Sequence, residues 1–141
     1  MAKQIVRQVS HLCIFTSDLD ATQKFWNGVL GMPITFRFSR KGKPYGFYFT
    51  AGGMTNIEVF ENANAKYDDR NAVNHLALEV FDIDDAIATT RAAGVPVTDK
   101  KLGVDDTWQA WLADPNGVKI EFFMMTAKSA QIVGGDRVAD W

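Results

Sequence analysis

The chain of 141 residues has the length of one domain, and its 47% hydrophobic and 23% charged residues are typical of a soluble globular protein. A net charge of −2 gives no basic surface for nucleic acid, and no apolar run approaches the roughly 18 residues that span a bilayer. The single cysteine excludes a disulfide within the chain and the first residues lack the apolar core of a secretion signal, so we predict a cytoplasmic protein without nucleic-acid or membrane partners.

The first half of the sequence predicts one helix and four strands. A strand of alternating apolar residues comes first, and Ser17 or Asp18 follows it as the N-cap of a helix that ends at Gly31. Turns that contain glycine separate three further strand patterns downstream. The four predicted strands comprise residues 9–15, 34–38, 45–50 and 55–60.

The second half repeats this order after a polar segment, residues 62–71, which is predicted to be a linker. Asp82 or Asp84 is placed to cap the second helix, and residues 99–106 form a loop rich in lysine, glycine and aspartate. The sequence Asp-Pro-Asn-Gly at residues 114–117 predicts a tight hairpin turn. The predicted elements are strands at residues 73–81, 107–112 and 118–124, a helix at 85–93, and a tail at 126–141 that begins with a short helix broken by Gly134 and Gly135.

Four short motifs occur twice, in the same order, in the two halves of the sequence. The matching segments are residues 9–12 and 73–76, 18–20 and 82–84, 31–34 and 94–97, and 57–60 and 120–123. A unit of this length with only two copies is not a solenoid repeat. The repeat predicts a single domain, residues 1–141, made of two βαβββ modules at residues 7–61 and 72–125.

Both histidines of the chain occupy matching positions in the two copies. These are His11 and His75, and the strand residues Glu58 and Glu121 also match. A single histidine or glutamate on a strand is usually structural, but two matched pairs weaken that interpretation. Two imidazoles and two carboxylates form a mixed ligand set that suits Zn, Ni, Co, Mn or Fe(II).

The sequence resembles the vicinal oxygen chelate superfamily, which includes glyoxalase I, extradiol dioxygenases and bleomycin resistance proteins. The motifs that carry the resemblance lie at residues 11–19, 25–32, 57–58, 74–78 and 114–121. The resemblance covers residues 7–124 and is closest to glyoxalase I-like proteins. It implies an α+β fold in which two βαβββ modules form a cupped, barrel-like mixed sheet with a metal site inside.

The same resemblance implies one divalent metal ion per site, with His11, Glu58, His75 and Glu121 as its ligands. It further implies a homodimer, and in some members of the family each site draws one pair of ligands from each chain. The implied function is a lyase or isomerase that chelates two adjacent oxygens of a small-molecule substrate. One of the two glutamates would then move a proton through an enediolate-like intermediate, as in lactoylglutathione lyase or an epimerase.

Two alternatives remain open at this point. An Fe(II)-dependent dioxygenase of the same superfamily generally needs a further histidine as its acid–base group, and this chain has only two histidines. A non-catalytic binding protein of the resistance type typically lacks the ligand set that is present here. Both alternatives are therefore less favoured than the lyase or isomerase.

Five residues are predicted to contact the substrate. They are Cys13, Phe15, Asn62, Glu79 and Trp111. By the resemblance, Phe15 replaces an arginine that holds a glutathione carboxylate in bacterial glyoxalases, whereas Asn62 matches an asparagine that contacts glutathione. Glu79 adds a negative charge that disfavours an anionic thiol conjugate. We therefore expect weak turnover of the adduct of methylglyoxal and glutathione.

Strand alternation leaves two questions about side-chain direction open. Either Phe36 and Phe38 or Arg37 must share a face with the predicted ligands. Trp108 and Trp111 have opposite parity, so only one of them can lie on that face.

Overall fold

A computed structural model of the protein describes residues 7–66 and 73–139, which fall into two compact units with those bounds. Each unit contains one four-stranded mixed sheet, and a helix lies between its first and second strands. The predicted α+β fold class is therefore confirmed, with the same order of elements in both halves. Within residues 7–66 and 73–139, no helix has the length and apolar composition needed to cross a membrane.

The first unit contains the four predicted strands, each close to its expected bounds. Its elements are β1 (His11–Thr16), α1 (Leu19–Gln23), β2 (Ile34–Arg40), β3 (Lys43–Gly52) and β4 (Thr55–Glu61). The strand order is β1-β4-β3-β2, with β1 parallel to β4 and the other neighbours antiparallel. The first and last strands of the unit are thus hydrogen-bonded neighbours, which determines where their side chains meet.

The first helix begins as predicted but does not continue as a regular α-helix. The side chain of Asp18 caps α1 by accepting a hydrogen bond from the Ala21 backbone at 2.9 Å. The helix then changes to a π-helical segment, Lys24–Val29, which contains the adjacent buried rings of Phe25 and Trp26. Gly31, with φ 68°, follows the segment in the left-handed region, as a C-terminal glycine should.

The second unit differs from the predicted pattern at two strands. Its elements are β5 (Leu76–Glu79), α2 (Ile83–Ala92), β6 (Lys101–Leu102), β7 (Trp108–Ala113), β8 (Lys119–Met124) and a short α3 (Ala130–Val133). The first strand is shorter than expected, and β6 lies inside the segment that we predicted to be a loop. The order β5-β8-β7-β6 matches the first sheet, again with a parallel pair formed by the first and last strands.

Local side-chain hydrogen bonds fix both the helix start and the hairpin turn of the second unit. Asp82, rather than Asp84, caps α2 by accepting from the backbone of Asp85 at 2.9 Å. In the turn before β8, one carboxylate oxygen of Asp114 accepts from the backbone nitrogens of Asn116 and Val118, both at 2.8 Å. Short polar side chains are favoured at such positions because they satisfy backbone groups that the next element leaves free.

The tail is bound to the loop that precedes β7. The hydroxyls of Thr126 and Ser129 both donate to the backbone carbonyl of Asp106, at 2.8 Å and 2.9 Å. Partial burial raises the pKa of Asp105, but hydrogen bonds from Gln131 and Thr107 outweigh this effect and leave the pKa below its usual value. The short helix expected in the tail is present as α3 and ends at Gly134, with φ 71°.

Parts of the predicted linker and tail, residues 67–71 and 140–141, lie outside the described residues, as does residue 72.

One face of each sheet forms the core of its unit, and the other face carries the predicted ligands. The buried apolar residues of the sheets are Ile14, Phe47, Phe49, Ile57 and Val59 in the first unit, and Ala110, Leu112, Ile120 and Phe122 in the second. Because side chains alternate along a strand, the intervening residues point to the opposite face of each sheet.

Candidate metal and substrate site

The parallel pairing of β1 and β4 brings the first predicted pair of ligands together. Cys13 lies opposite Glu58 in the register, and His11, two residues earlier on β1, shares the same face of the sheet. The Nε2 atom of His11 is 3.7 Å from a carboxylate oxygen of Glu58. The exposed fractions of these side chains are 40% and 19%, so this pair is open to solvent.

The parallel pairing of β5 and β8 produces the equivalent pair in the second unit. Ala77 lies opposite Glu121, and His75 directly precedes β5 on the same face. The Nε2 atom of His75 is 3.0 Å from a carboxylate oxygen of Glu121, whose side chain is only 7% exposed. Burial raises the pKa of the Glu121 carboxyl, and the adjacent His75 offsets only part of that rise.

Each unit supplies two of the four predicted metal ligands. An imidazole nitrogen beside a carboxylate oxygen is a suitable donor pair for a borderline divalent ion. Across residues 7–66 and 73–139, however, no three histidine, cysteine, aspartate or glutamate side chains gather into one group that can hold a metal. The predicted ligands therefore fit a metal ion in donor type, as two pairs.

The residue before each histidine contacts the second ring nitrogen of that histidine. The amide oxygen of Asn74 lies 2.9 Å from Nδ1 of His75, and the Ser10 hydroxyl lies 3.3 Å from Nδ1 of His11. An amide oxygen can only accept, so Nδ1 of His75 donates to Asn74 in this arrangement, and Nε2 is the ring nitrogen that faces Glu121. Neither of these neighbouring residues, Ser10 or Asn74, was predicted from the sequence, although each is adjacent to a predicted ligand.

Replacing Asn74 with alanine should therefore weaken metal binding by the isolated protein. Loss of a partner that orients a ligating histidine typically costs roughly tenfold to a hundredfold in metal affinity. Calorimetric titration with Ni²⁺ or Zn²⁺ measures the change directly. Asn74→Asp keeps the acceptor oxygen and is the matched control, which should bind metal more tightly than the alanine variant. Equal affinities in wild type and Asn74→Ala would show that this hydrogen bond does not orient His75.

An aromatic ring from the neighbouring antiparallel strand accompanies each pair. Tyr48 lies opposite Glu58 in the register and Trp111 lies opposite Glu121. Their rings lie 5.8 Å from the ring of His11 and 4.9 Å from that of His75, measured between centroids. Trp111 was predicted as a site residue, whereas Tyr48 was missed even though it occupies the matching position of the repeat.

The structure also resolves which face the other aromatic side chains occupy. Phe36 pairs with Tyr48 and therefore shares the face of the first pair, whereas Arg37 lies on the opposite face over the ring of Phe47. Trp108 pairs with Met124 rather than with a residue on the face of Glu121, so Trp111 is the tryptophan on that face.

Two of the predicted substrate contacts lie on β1 beside His11. Phe15 is 53% exposed on the same face as His11. Cys13 is also exposed on this face. Desolvation, together with the hydrogen bond and the charge of Glu58, raises the pKa of the Cys13 thiol from 9.0 to about 11. The thiol is therefore protonated at neutral pH, which does not suit a nucleophile.

The two remaining predicted contacts have different surroundings. Asn62 directly follows β4, and its side-chain oxygen accepts from the backbone of Asn64 at 2.9 Å, so part of this amide is used within a local turn. Glu79 is exposed at the end of β5, opposite Phe123, on the face of His75 and Glu121. Lys119 lies 4.5 Å from the ring centroid of Trp111 on the same sheet.

Comparisons of this chain with a family model and with known proteins indicate the same family. The model of the Glyoxalase/Bleomycin resistance protein/Dioxygenase superfamily matches residues 8–122. Lactoylglutathione lyase of Haemophilus influenzae is 32% identical over 82% of this chain and 90% of its own length. Lactoylglutathione lyase of Neisseria meningitidis serogroup A is 30% identical over 79% of this chain and 86% of its own.

A solved structure shares the fold of this chain. The glyoxylase/bleomycin resistance protein/dioxygenase domain from Frankia sp. EAN1pec superposes with a TM-score of 0.75 at 18% identity, covering 89% of this chain and 96% of that one. The family match over residues 8–122 agrees with the repeated βαβββ order and with the paired histidines and glutamates. This chain belongs to the Glyoxalase/Bleomycin resistance protein/Dioxygenase superfamily.

Proposed function

We propose that the protein is a metal-dependent lyase or isomerase of the glyoxalase type. The observation that supports this most directly is the contact between one histidine and one glutamate at equivalent positions of both units. Their Nε2-to-oxygen distances are 3.7 Å for His11 and Glu58 and 3.0 Å for His75 and Glu121. Relatives about 30% identical carry the name lactoylglutathione lyase, which favours the same class of reaction.

In this proposal the two pairs, His11 with Glu58 and His75 with Glu121, would supply the ligands of a divalent ion, which when bound polarises two adjacent substrate oxygens. His11 and His75 act only as ligands, and Asn74 orients the ring of His75. Glu58 or Glu121 removes a proton from the carbon next to the polarised group and returns it to the neighbouring carbon. Both carboxylates are suited to this role, because each lies on the same sheet face as its histidine.

The chain offers less support for the alternatives. A dioxygenase would need a third histidine for acid–base chemistry, and the sequence contains two. A purely binding protein has no need of matched histidine and glutamate pairs in both units.

Metal analysis of the purified protein tests the proposal. We expect a stoichiometric divalent ion, bound more weakly by His11→Ala and by His75→Ala than by wild type. Wild-type protein that takes up no divalent metal, together with a His75→Ala variant that behaves identically in the titration, would refute the proposal. The resemblance also leads us to expect a dimer in solution. Light scattering measures the oligomeric state independently of metal binding.

The adduct of methylglyoxal and glutathione is the first substrate to assay because of the names of the relatives. We expect its turnover to be weak, since Phe15 stands where the resemblance implies an arginine and Glu79 adds a carboxylate. The assay compares kcat/KM of wild type with that of Phe15→Arg and Glu79→Gln, which should raise it. Rapid turnover by wild type, unchanged or lowered in both variants, would show that these residues do not disfavour glutathione.

A further inference from the structure

A cluster of four aromatic side chains lies on the face of the first sheet that carries His11 and Glu58. This aromatic cluster comprises Phe36, Phe38, Tyr48 and Phe60. Phe36 stacks on Tyr48 at 4.7 Å with an interplanar angle of 14°, and Phe38 contacts Phe60 at 4.6 Å. Tyr48 connects the cluster to the ring of His11. The cluster is therefore continuous with one pair of predicted ligands.

The hydrophobic core of the first unit does not account for this cluster. The core lies on the opposite face of the same sheet, where Phe47, Phe49 and Ile57 are buried together with Trp26 of the helical segment. Phe36, by contrast, remains 45% exposed. An exposed aromatic surface next to polar side chains that can bind a metal is characteristic of a binding site for a small molecule.

The basic side chain next to Phe36 in the sequence does not reach this face. The guanidinium of Arg37 lies on the other face, where it donates to the side chain of Gln23 at 2.9 Å. Phe15, more than half exposed, extends the aromatic surface along β1. A flat apolar group matches the exposed rings of Phe36 and Phe15.

We propose that the substrate carries an aromatic or similarly flat apolar group that packs on the aromatic cluster, while its two adjacent oxygens would be bound by the ion that His11 and Glu58 help to hold. This inference rests on the proposed function and specifies the substrate class for it. Phe36 is then a specificity-determining residue, because its exposed ring is the part of the cluster that a ligand can cover. Tyr48 positions Phe36 through the stacked contact.

A matched pair of chelators tests the inference without requiring the natural substrate. Benzohydroxamate and acetohydroxamate both present two adjacent oxygens and differ in a phenyl group. Calorimetry on nickel-loaded protein should show tighter binding of benzohydroxamate, by roughly fivefold to tenfold, as expected for one well-placed aromatic contact. The preference should fall toward equal binding in Phe36→Ala and should be partly kept in Phe36→Leu, which retains apolar volume.

Leu102→Ala truncates an exposed apolar side chain of the second unit and is the control, which should keep the wild-type preference. Thermal unfolding of each variant verifies that it is folded, and Phe36→Leu replaces Phe36→Ala if the alanine variant is not. Equal binding of both hydroxamates by wild type, or a preference unchanged in both Phe36 variants, would overturn the inference and leave the proposed function intact. Protein that binds no metal fails the proposed function itself, and the substrate class with it.

Discussion

Glutamine at position 58 or 121 should reduce turnover by roughly a hundredfold or more, because the amide cannot accept the proton that the carboxylate removes. The amide oxygen remains a possible metal ligand, so metal content should fall less than activity does. We would measure kcat/KM of Glu58→Gln and Glu121→Gln with the thiol adduct of an α-oxo aldehyde that wild type turns over fastest. The metal content of each variant is determined in parallel. The variant with the larger loss at equal metal content identifies the base.

Glu61→Gln is the matched control, because Glu61 is an exposed glutamate at the end of the same strand as Glu58. Its activity should equal that of wild type. If excess metal restored full turnover in both Glu58→Gln and Glu121→Gln, both glutamates would be ligands only, and the assigned proton transfer would be wrong.

The substitution Gly46→Ala should destabilise the first unit by about 3 kcal/mol, at the upper end of the range for overpacking. A Cβ atom at this position would lie 2.0 Å from the backbone oxygen of Val59 and 3.0 Å from the ring of Phe60. Because the nearest contact is backbone, the strands β3 and β4 must move apart to relieve it. Differential scanning calorimetry should show a fall in Tm on the order of 10 °C.

The same substitution at Gly28 is a control within the same unit. A Cβ atom there would meet only the Lys24 side chain, at the ordinary distance of 3.9 Å. Alanine restricts the unfolded chain more than glycine does, so Gly28→Ala should raise stability by about 0.5 to 1 kcal/mol. Equal effects of the two substitutions would contradict the steric explanation for Gly46.

Local signals in the sequence predicted most of the fold, and the exceptions have a physical cause. Asp18 and Gly31 were identified as helix boundaries because capping depends on residues close in sequence. The strand β6 was missed because its signal is hydrogen bonding to β7, and two residues are too few to show the alternating pattern of a strand. The π-helical segment was missed because one extra residue per turn hardly alters an apolar pattern.

The repeat made the matched pairs of the candidate site predictable. Contacts that depend on the register between strands could not be predicted. The pairs formed by His11 with Glu58 and by His75 with Glu121 follow from matching positions in the two halves. Whether all four side chains hold one ion stays a prediction. Tyr48 could have been found from its match to Trp111, but its contact with Phe36 depends on how β2 pairs with β3, which alternation alone does not fix.

The parallel pairing of the first and last strands separates the predicted metal ligands of the first unit from most of its aromatic cluster. In the first unit, the histidine and glutamate lie on β1 and β4, whereas three of the four clustered rings lie on the hairpin β2–β3. Substitutions of Phe36 or Phe38 on β2 would therefore change the surface offered to a ligand, whereas β1 and β4 would keep their pairing. A duplicated scaffold of this kind can therefore acquire a new preference by drift in one hairpin while the other copy keeps its side chains unchanged.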